Sequence, residues 1–172
     1  MRRHRGKWTA GLAAWAVAAA TAASPAQAAQ WTLTEHAFNY GSGPFGEVLA
    51  YGVNNADALQ CHVSRARRGQ AHLLWLFGPT RARAPTDAPR PITLTLSSGG
   101  ASATLKALAS DDPDATPPGT AIFVEADFPV ASPVLAEFGR TGRLTLRAAG
   151  ITLTPDPAAA ADAARFVQLC GK

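Results

Sequence analysis

The chain is poor in cysteine, methionine and histidine, and it lacks the motifs that mark common enzyme classes. It contains two cysteines, one methionine and four histidines. No HxH or HExxH spacing occurs, and a zinc site needs three or four convergent ligands. The only Gly-Ser-Gly sequence, at 41–43, precedes Pro44 and favours a turn rather than a nucleophile elbow. We therefore expect no metal, no cofactor and no assignable catalytic residue.

Long apolar runs are also absent after the first 28 residues. A basic segment opens the chain with Arg2, Arg3, Arg5 and Lys7. Residues 8–23 are uncharged and mostly apolar, and residues 26–28 (AQA) fit a signal peptidase site. An uncleaved anchor is the alternative, but this alanine-rich segment is shorter than the roughly 20 apolar residues of a span. We predict a signal peptide over 1–28, one domain over 29–172 without a membrane span, and a periplasmic or secreted location.

The mature chain has a formal net charge of zero. Of sixteen Lys and Arg residues, four lie in the signal peptide, so twelve remain to balance twelve Asp and Glu. A balanced chain lacks the basic surface of nucleic-acid-binding proteins. Aromatic residues are not interleaved with the arginines, which argues against a stacking groove for single strands. We predict no nucleic-acid partner.

The remaining charge is unevenly distributed. One stretch contains Arg65, Arg67, Arg68, Arg81, Arg83 and Arg90. Another contains Asp111, Asp112, Asp114, Glu125, Asp127 and Glu137. Two solvated faces that partly pair with each other are the ordinary interpretation of such a pattern. The alternative is that the arginine stretch contacts an envelope protein or an anionic ligand.

Two cysteines in an exported chain predict one disulfide, between Cys61 and Cys170. It would close a loop of about 110 residues, and the chain-entropy model gives roughly 4 to 5 kcal/mol for such a loop. The alternative is a pair of free thiols acting as metal ligand or nucleophile. Neither cysteine has the neighbours that a low-pKa or zinc-binding cysteine needs. His62, next to Cys61 on a strand, would point to the opposite face.

Most of the mature chain has the period-two pattern of short strands. In "PITLTLS", Ile92, Leu94 and Leu96 alternate with polar β-formers, and the glycines that follow permit a hairpin turn. "GRLTLRAAGITLTP" predicts a second hairpin that turns near Ala149-Gly150. Further strands are predicted at 31–38, 45–53, 59–65, "AHLLWLF" and "TAIFVEAD". The pattern predicts a mainly β fold of seven to nine antiparallel strands, either a β-sandwich or a partly closed barrel.

Two helices interrupt the strands. A short helix is predicted near 132–138, with Ser132 as its N-cap, Pro133 at its first position and Gly139 at its end. A C-terminal helix is predicted near 157–170, after Asp156-Pro157 and with Gly171 in a left-handed capping position. Along this helix Ala163, Phe166 and Cys170 share one face, which directs Cys170 into the sheet.

Three polar residues are candidates for chemistry. Glu125 and Asp127 are two apart on a predicted strand and therefore share a face, as paired carboxylates of a hydrolase must. His72 has the parity of Leu74 and Leu76, so we expect it to be partly buried. A metal site would require His36 and His72 to converge with acidic residues. A solvated acidic face is the simpler interpretation of Glu125 and Asp127.

The layout resembles a known family. An early strand with Cys61, serial hairpins, an "FVEADF" strand before a Ser-Pro helix and a last helix ending in "FVQLCG" are similar to the invasion-associated locus B-like family and related periplasmic proteins. The chain has one cysteine pair where that family commonly has more. The resemblance carries over no catalytic residue. The sequence as a whole predicts a non-catalytic binding or accessory protein of the cell envelope. The alternative is a hydrolase that uses Glu125 and Asp127.

Overall fold

The computed structural model describes residues 30–34, 38–40, 43–51, 57–62, 68–81, 86 and 88–172. The predicted signal peptide therefore lies outside the described residues. The elements are, in chain order, β1 (Trp31–Thr34), β2 (Phe38–Tyr40), β3 (Gly43–Tyr51), β4 (Asp57–His62), β5 (Gln70–Phe77), β6 (Arg90–Ser98), β7 (Ala101–Asp111), β8 (Ile122–Pro129), α1 (Pro133–Thr141), β9 (Thr145–Ala148), β10 (Ile151–Leu153) and α2 (Ala160–Cys170). No helix in these ranges is long and apolar enough to cross a membrane.

The ten described strands form one antiparallel sheet, which confirms the predicted mainly β fold. Neighbouring strands follow the order β1-β3-β4-β5-β8-β7-β6-β9-β10, and β2 pairs with β3. Helix α1 packs on β6 and β7, α2 packs on β1 and β3, and the helices contact each other. Because this helix pair touches strands from distant parts of the order, the sheet curls around it. A single curled sheet corresponds to the partly closed barrel of the two predicted architectures.

Both predicted hairpins are confirmed. Strands β6 and β7 pair from Arg90 to Ser98, and Gly99-Gly100 forms the turn. Strands β9 and β10 reverse at Ala149-Gly150, whose φ angles of 50° and 80° are both left-handed. Two successive positive φ angles are typical of the type I′ turn, whose twist matches that of the flanking strands.

The core lies between the inner face of the sheet and the helices. On β5, Leu73, Trp75 and Phe77 are buried on that face. Trp31 packs against Trp75 and Phe138, with ring centroids 5.6 and 5.5 Å apart. Its indole Nε1 also donates a hydrogen bond of 2.7 Å to a backbone carbonyl in the segment before α2. One tryptophan therefore connects the first described strand, the sheet centre, α1 and the approach to α2.

Helix α1 begins as predicted and ends later than predicted. Ser132 is the N-cap, and its hydroxyl accepts a hydrogen bond from the Leu135 amide. The predicted end at Gly139 is wrong, because the helix continues to Thr141 and Gly142 caps it with φ 66°. Gly139 has a packing role instead: a Cβ there would lie 3.0 Å from Val167 Cγ2 of α2. The absent side chain lets the two helices approach closely.

Helix α2 differs from the prediction at both ends. It begins at Ala160 rather than near 157, and its N-cap Ala159 offers no side-chain hydrogen bond. The preceding residues are held by tertiary contacts, since the Asp156 carbonyl accepts the Trp31 indole hydrogen bond and the Ala158 amide donates to Gly142. Gly171 has φ −81°, so the predicted left-handed cap is wrong.

The predicted disulfide is present. Cys61 on β4 and Cys170 at the end of α2 are bonded, with Cα atoms 5.3 Å apart and a sequence separation of 109. Both cysteines are buried, and Ala163 and Phe166 are buried on the same face of α2, as predicted. The last turn of α2 is therefore joined covalently to β4, the third strand in the order of the sheet.

Candidate functional site

Two surface depressions contain the polar residues selected from the sequence. The first, which we call the arginine depression, has a volume of about 610 Å³. Its lining consists of Pro79, Thr80, Arg81, Arg90, Ile122, Ala149, Gly150 and Ile151. It therefore brings two of the predicted arginines against the turn between β9 and β10.

A backbone contact positions the segment that contains Arg81, and an ion pair orients the Arg90 side chain. The loop after β5 is held by a hydrogen bond of 2.6 Å from the Thr80 amide to the Thr120 carbonyl, which places Arg81 next to the start of β8. Arg90 is the first residue of β6 and pairs with Asp111 at 3.2 Å. Asp111 also accepts a hydrogen bond of 2.8 Å from the Thr86 amide. The Arg90 guanidinium is thus oriented by a nearly buried carboxylate.

The two arginines differ in exposure and in pairing. The Arg90 side chain is 31% exposed, whereas that of its partner Asp111 is 7% exposed. Arg81 is exposed, and among the described residues no carboxylate forms an ion pair with it. The depression therefore combines one positioned guanidinium with one whose charge is not balanced by a described neighbour.

The remaining predicted arginines do not join this group within the described part of the chain. Arg68 precedes β5 and Arg81 follows it, so an eight-residue strand, about 23 Å long, separates them. Arg65, Arg67 and Arg83 lie outside the described residues. The arginine pattern in the sequence did not predict that Ala149-Gly150 would line the depression. The pairing of β6 with β9 brings these two residues there.

The second depression, which we call the histidine cleft, has a volume of about 470 Å³ on the outer face of β5, β7 and β8. Its lining consists of His72, Pro91, Lys106, Ala107, Leu108, Glu125, Ala126 and Asp127. Glu125 and Asp127 both line it, in agreement with their predicted shared face. Among the described residues no Trp, Tyr or Phe lines this cleft, whereas sugar clefts commonly have an aromatic platform.

His72 connects the two carboxylates of the histidine cleft. Asp127 is its register partner on β8, and the Nδ1–Oδ1 distance is 2.8 Å. Nε2 lies 3.9 Å from Oε2 of Glu125. When Asp127 is ionised and the ring is neutral, Nδ1 carries the hydrogen and Nε2 keeps the lone pair. His72 is 8% exposed, which agrees with the partial burial expected from its parity.

A buried amide lies beside this histidine in the sheet. Gln60 on β4 is the register partner of His72, so Gln60, His72 and Asp127 form one cross-strand row. Gln60 is 3% exposed, and its Oε1 accepts no hydrogen bond from the described residues. A buried acceptor without a donor destabilises a fold by about 1 to 3 kcal/mol. The row therefore contains a buried side-chain oxygen without a described donor, on the residue paired with His72.

The described residues contain no cluster of three or more His, Cys, Asp or Glu side chains arranged to hold a metal ion. His36, which a predicted metal site required, lies outside the described residues. Asp127 bonds Nδ1 while Glu125 faces Nε2, so the carboxylates point at different atoms of the ring. The sequence missed this contact because His72 and Asp127 are 55 residues apart.

Comparison with known proteins found no relative of this chain. No protein family, curated protein or solved structure matches the chain. The resemblance to invasion-associated locus B-like proteins stays a prediction from the sequence layout.

Proposed function

We propose that this chain is an exported, non-catalytic binding protein of the cell envelope that holds an anionic group in the arginine depression. The observation that carries the proposal is that Arg81 and Arg90 line the same depression. The planar guanidinium fork matches carboxylate and phosphate groups and binds them through paired hydrogen bonds. Apolar walls from Pro79, Ile122 and Ile151 favour a ligand whose acidic group is attached to an apolar body.

Export is supported by the predicted signal peptide and by the disulfide. Disulfides persist in oxidising compartments such as the periplasm and the extracellular space. We expect the protein in the periplasmic or culture fraction to begin at Ala29, which N-terminal sequencing would establish. A chain that retains residues 1–28 in that fraction would contradict this part of the proposal.

The anion site is tested by calorimetric titration of the mature protein with inorganic phosphate and with small mono- and dicarboxylates. Arg81→Ala should weaken binding by about tenfold or more, since hydrogen bonds to charged groups contribute roughly 1.5 to 3 kcal/mol. Higher salt should weaken binding in the unmodified protein. Arg81 is exposed, so this variant is expected to fold normally.

Arg68→Ala is the matched control. It removes the same charge from an exposed residue at the opposite end of β5, and it should leave anion binding unchanged. Equal losses in the two variants would indicate a general effect of net charge. Such a result, or no binding of any anion by the unmodified protein, would overturn the proposed site.

A hydrolase at the histidine cleft is the second candidate, and one observation favours it. The cleft is concave and holds Glu125 and Asp127 beside a histidine, as general acid–base catalysis requires. In this alternative, His72 acts as the base and Asp127 orients it. Turnover of chromogenic ester or glycoside substrates that is lost in His72→Gln would support catalysis. No turnover above the buffer rate would remove this alternative and leave the anion site untouched.

A further inference from the structure

We infer that the outer side of β6, β7, β9 and β10 binds an acidic polysaccharide, a chain of sugars that carries carboxylates in series. This surface, which we call the threonine face, consists of Thr95, Ser97, Thr104, Thr145, Arg147 and Thr152. The inference is independent of the arginine depression and of any hydrolase activity.

Strand pairing arranges the side chains of the threonine face in rows. Thr104, Thr95, Arg147 and Thr152 are successive register partners on four neighbouring strands. The alternate residues of β6 and β9 are leucines buried in the core, so this row points to solvent. Neighbouring strands are about 4.8 Å apart. Polar groups therefore repeat at short, regular intervals across the sheet.

The charge of the threonine face is positive and is not paired across the strands. The outward side chains of β6, β7, β9 and β10 include no aspartate or glutamate. Arg147 is exposed, and no carboxylate of the described residues forms an ion pair with it. Opposite charges on register partners stabilise antiparallel sheets, but Arg147 has Thr95 on one side and Thr152 on the other. Its guanidinium therefore suits an external carboxylate.

A depression of about 330 Å³ adjoins the threonine face. Ser97 and Thr145 belong to both, and Arg143 and Asp156 also line the depression. Arg143 is exposed and forms no ion pair with a carboxylate of the described residues. The lining therefore combines a guanidinium, a carboxylate and hydroxyls. Such a mixture suits a sugar acid, which carries both a carboxylate and hydroxyl groups.

The separation of the two arginines favours a series of acidic groups over a single one. Arg143 and Arg147 are four residues apart, so at about 3.3 Å per residue their backbones are roughly 13 Å apart. Arg147 Nε donates a hydrogen bond of 3.1 Å to the Thr152 hydroxyl. This bond holds the Arg147 side chain across the sheet, toward β10, rather than along β9 toward Arg143. Successive acidic sugars of one polymer can contact both guanidinium groups.

The hydroxyls distinguish sugars from other polyanions. A serine or threonine hydroxyl both donates and accepts hydrogen bonds, as a sugar hydroxyl does. The carboxylates of an acidic peptide and the phosphates of a nucleic acid only accept them. The outward side chains of these four strands include no Trp, Tyr or Phe, so the threonine face lacks the platform that commonly holds a neutral sugar. An acidic polysaccharide matches both the guanidinium groups and the hydroxyls.

The test is binding of the mature protein to immobilised polygalacturonate, measured by biolayer interferometry. We expect saturable binding that weakens as the salt concentration rises. Neutral dextran should not bind. Arg143→Gln and Arg147→Gln should each weaken binding about fivefold, the upper end for an exposed ion pair. The double variant should weaken it about 25-fold, because residues more than about 10 Å apart act independently.

Thr95→Val tests the hydroxyls separately from the charges. Valine keeps the β-branched shape that suits a strand, so the fold should be unchanged. Loss of the hydroxyl should weaken polygalacturonate binding about two- to tenfold. Affinity equal to that of the unmodified protein would contradict the role of the hydroxyls in recognition.

Arg165→Gln is the matched control. It removes an exposed guanidinium from α2, which packs on the inner side of the sheet, and it should bind polygalacturonate like the unmodified protein. Urea denaturation of each variant checks that the fold is intact. Equal losses in Arg165→Gln and Arg147→Gln, or a double variant no weaker than either single one, would overturn the inference. Absence of polygalacturonate binding, or equally tight binding of polyglutamate or duplex DNA, would also overturn it.

Discussion

Helices α1 and α2 pack against each other over one core, but different interactions fix their ends. At the ends of α1 stand Ser132, which caps the first turn, and left-handed Gly142, whose amide bonds to Phe138. At the ends of α2 stand Ala159, whose side chain makes no capping bond, and Cys170, which is held by the disulfide. Local sequence therefore defines α1, whereas tertiary contacts and one covalent bond define α2.

Removing the disulfide should have the largest effect, and it should fall on α2. Cys61→Ala together with Cys170→Ala should lower the free energy of unfolding by up to about 5 kcal/mol, because the unfolded chain regains the freedom of a loop of 109 residues. Urea denaturation measures the loss, and reductant should produce a similar loss in the unmodified protein. Amide exchange should accelerate more in α2 than in α1. Equal acceleration of amide exchange in both helices would contradict the conclusion that the disulfide stabilises α2 more than α1.

Substitution at the end of α1 should have the next largest effect. Gly142→Ala should cost at least about 2 kcal/mol, since φ 66° disfavours a side chain and a Cβ would collide with the Ala158 carbonyl oxygen. Thermal and urea unfolding measure the loss. Gly150→Ala is the control, because Gly150 also has a positive φ but faces open space. Equal losses at Gly142 and Gly150 would show that the approach to Ala158 contributes nothing.

Exchanging the N-caps should give effects of opposite sign. Ser132→Ala should lower the free energy of unfolding by about 1 kcal/mol, because the Leu135 amide loses its acceptor. Ala159→Ser should raise it by about 0.5 to 1 kcal/mol, because Ala159 has the extended conformation of an N-cap without the oxygen. Both values come from urea denaturation at neutral pH. A destabilising Ala159→Ser would show that α2 does not lack a cap.

The smallest effect should depend on pH and should be confined to α1. Arg140 hydrogen-bonds to Glu137 at 2.6 Å and holds the pKa of Glu137 below its ordinary value of 4.5. A lowered carboxyl pKa stabilises the folded state above the unfolded-state value, and that contribution is lost as the pH falls below 4.5 toward the folded value. The difference in denaturation midpoint between the unmodified protein and Glu137→Gln should therefore be present at pH 7 and vanish in acid. A difference that does not change with pH would contradict this.

Features encoded by neighbouring residues were predicted well from the sequence. The hairpin turns at Gly99-Gly100 and Ala149-Gly150 and the N-cap Ser132 depend on a few adjacent positions. The rule that a glycine ends a helix failed at Gly139, because close packing against Val167 requires the same residue type inside α1. The predicted start of α2 failed because tertiary hydrogen bonds hold Asp156 and Ala158 outside the helix.

The candidate sites show the same difference between features set by adjacent residues and features set by tertiary contacts. Period-two spacing placed Glu125 and Asp127 on one face, as the histidine cleft confirms. Their contact with His72 requires β5 to pair with β8, which no local pattern encodes. In the same way, Arg81 reaches the depression that contains Arg90 because the Thr80 amide bonds to the Thr120 carbonyl, 40 residues away in sequence. Sequence proximity alone also included Arg68, which lies at the other end of β5.

The separation of the disulfide partners also sets an order of events in time. Cys61 belongs to the fourth strand, and its partner is made 109 residues later. At a synthesis rate of about 5 to 20 residues per second, Cys170 is synthesised roughly 5 to 20 seconds after Cys61. Cys61 and Cys170 are both buried in the folded protein, so the bond is shielded once α2 has docked.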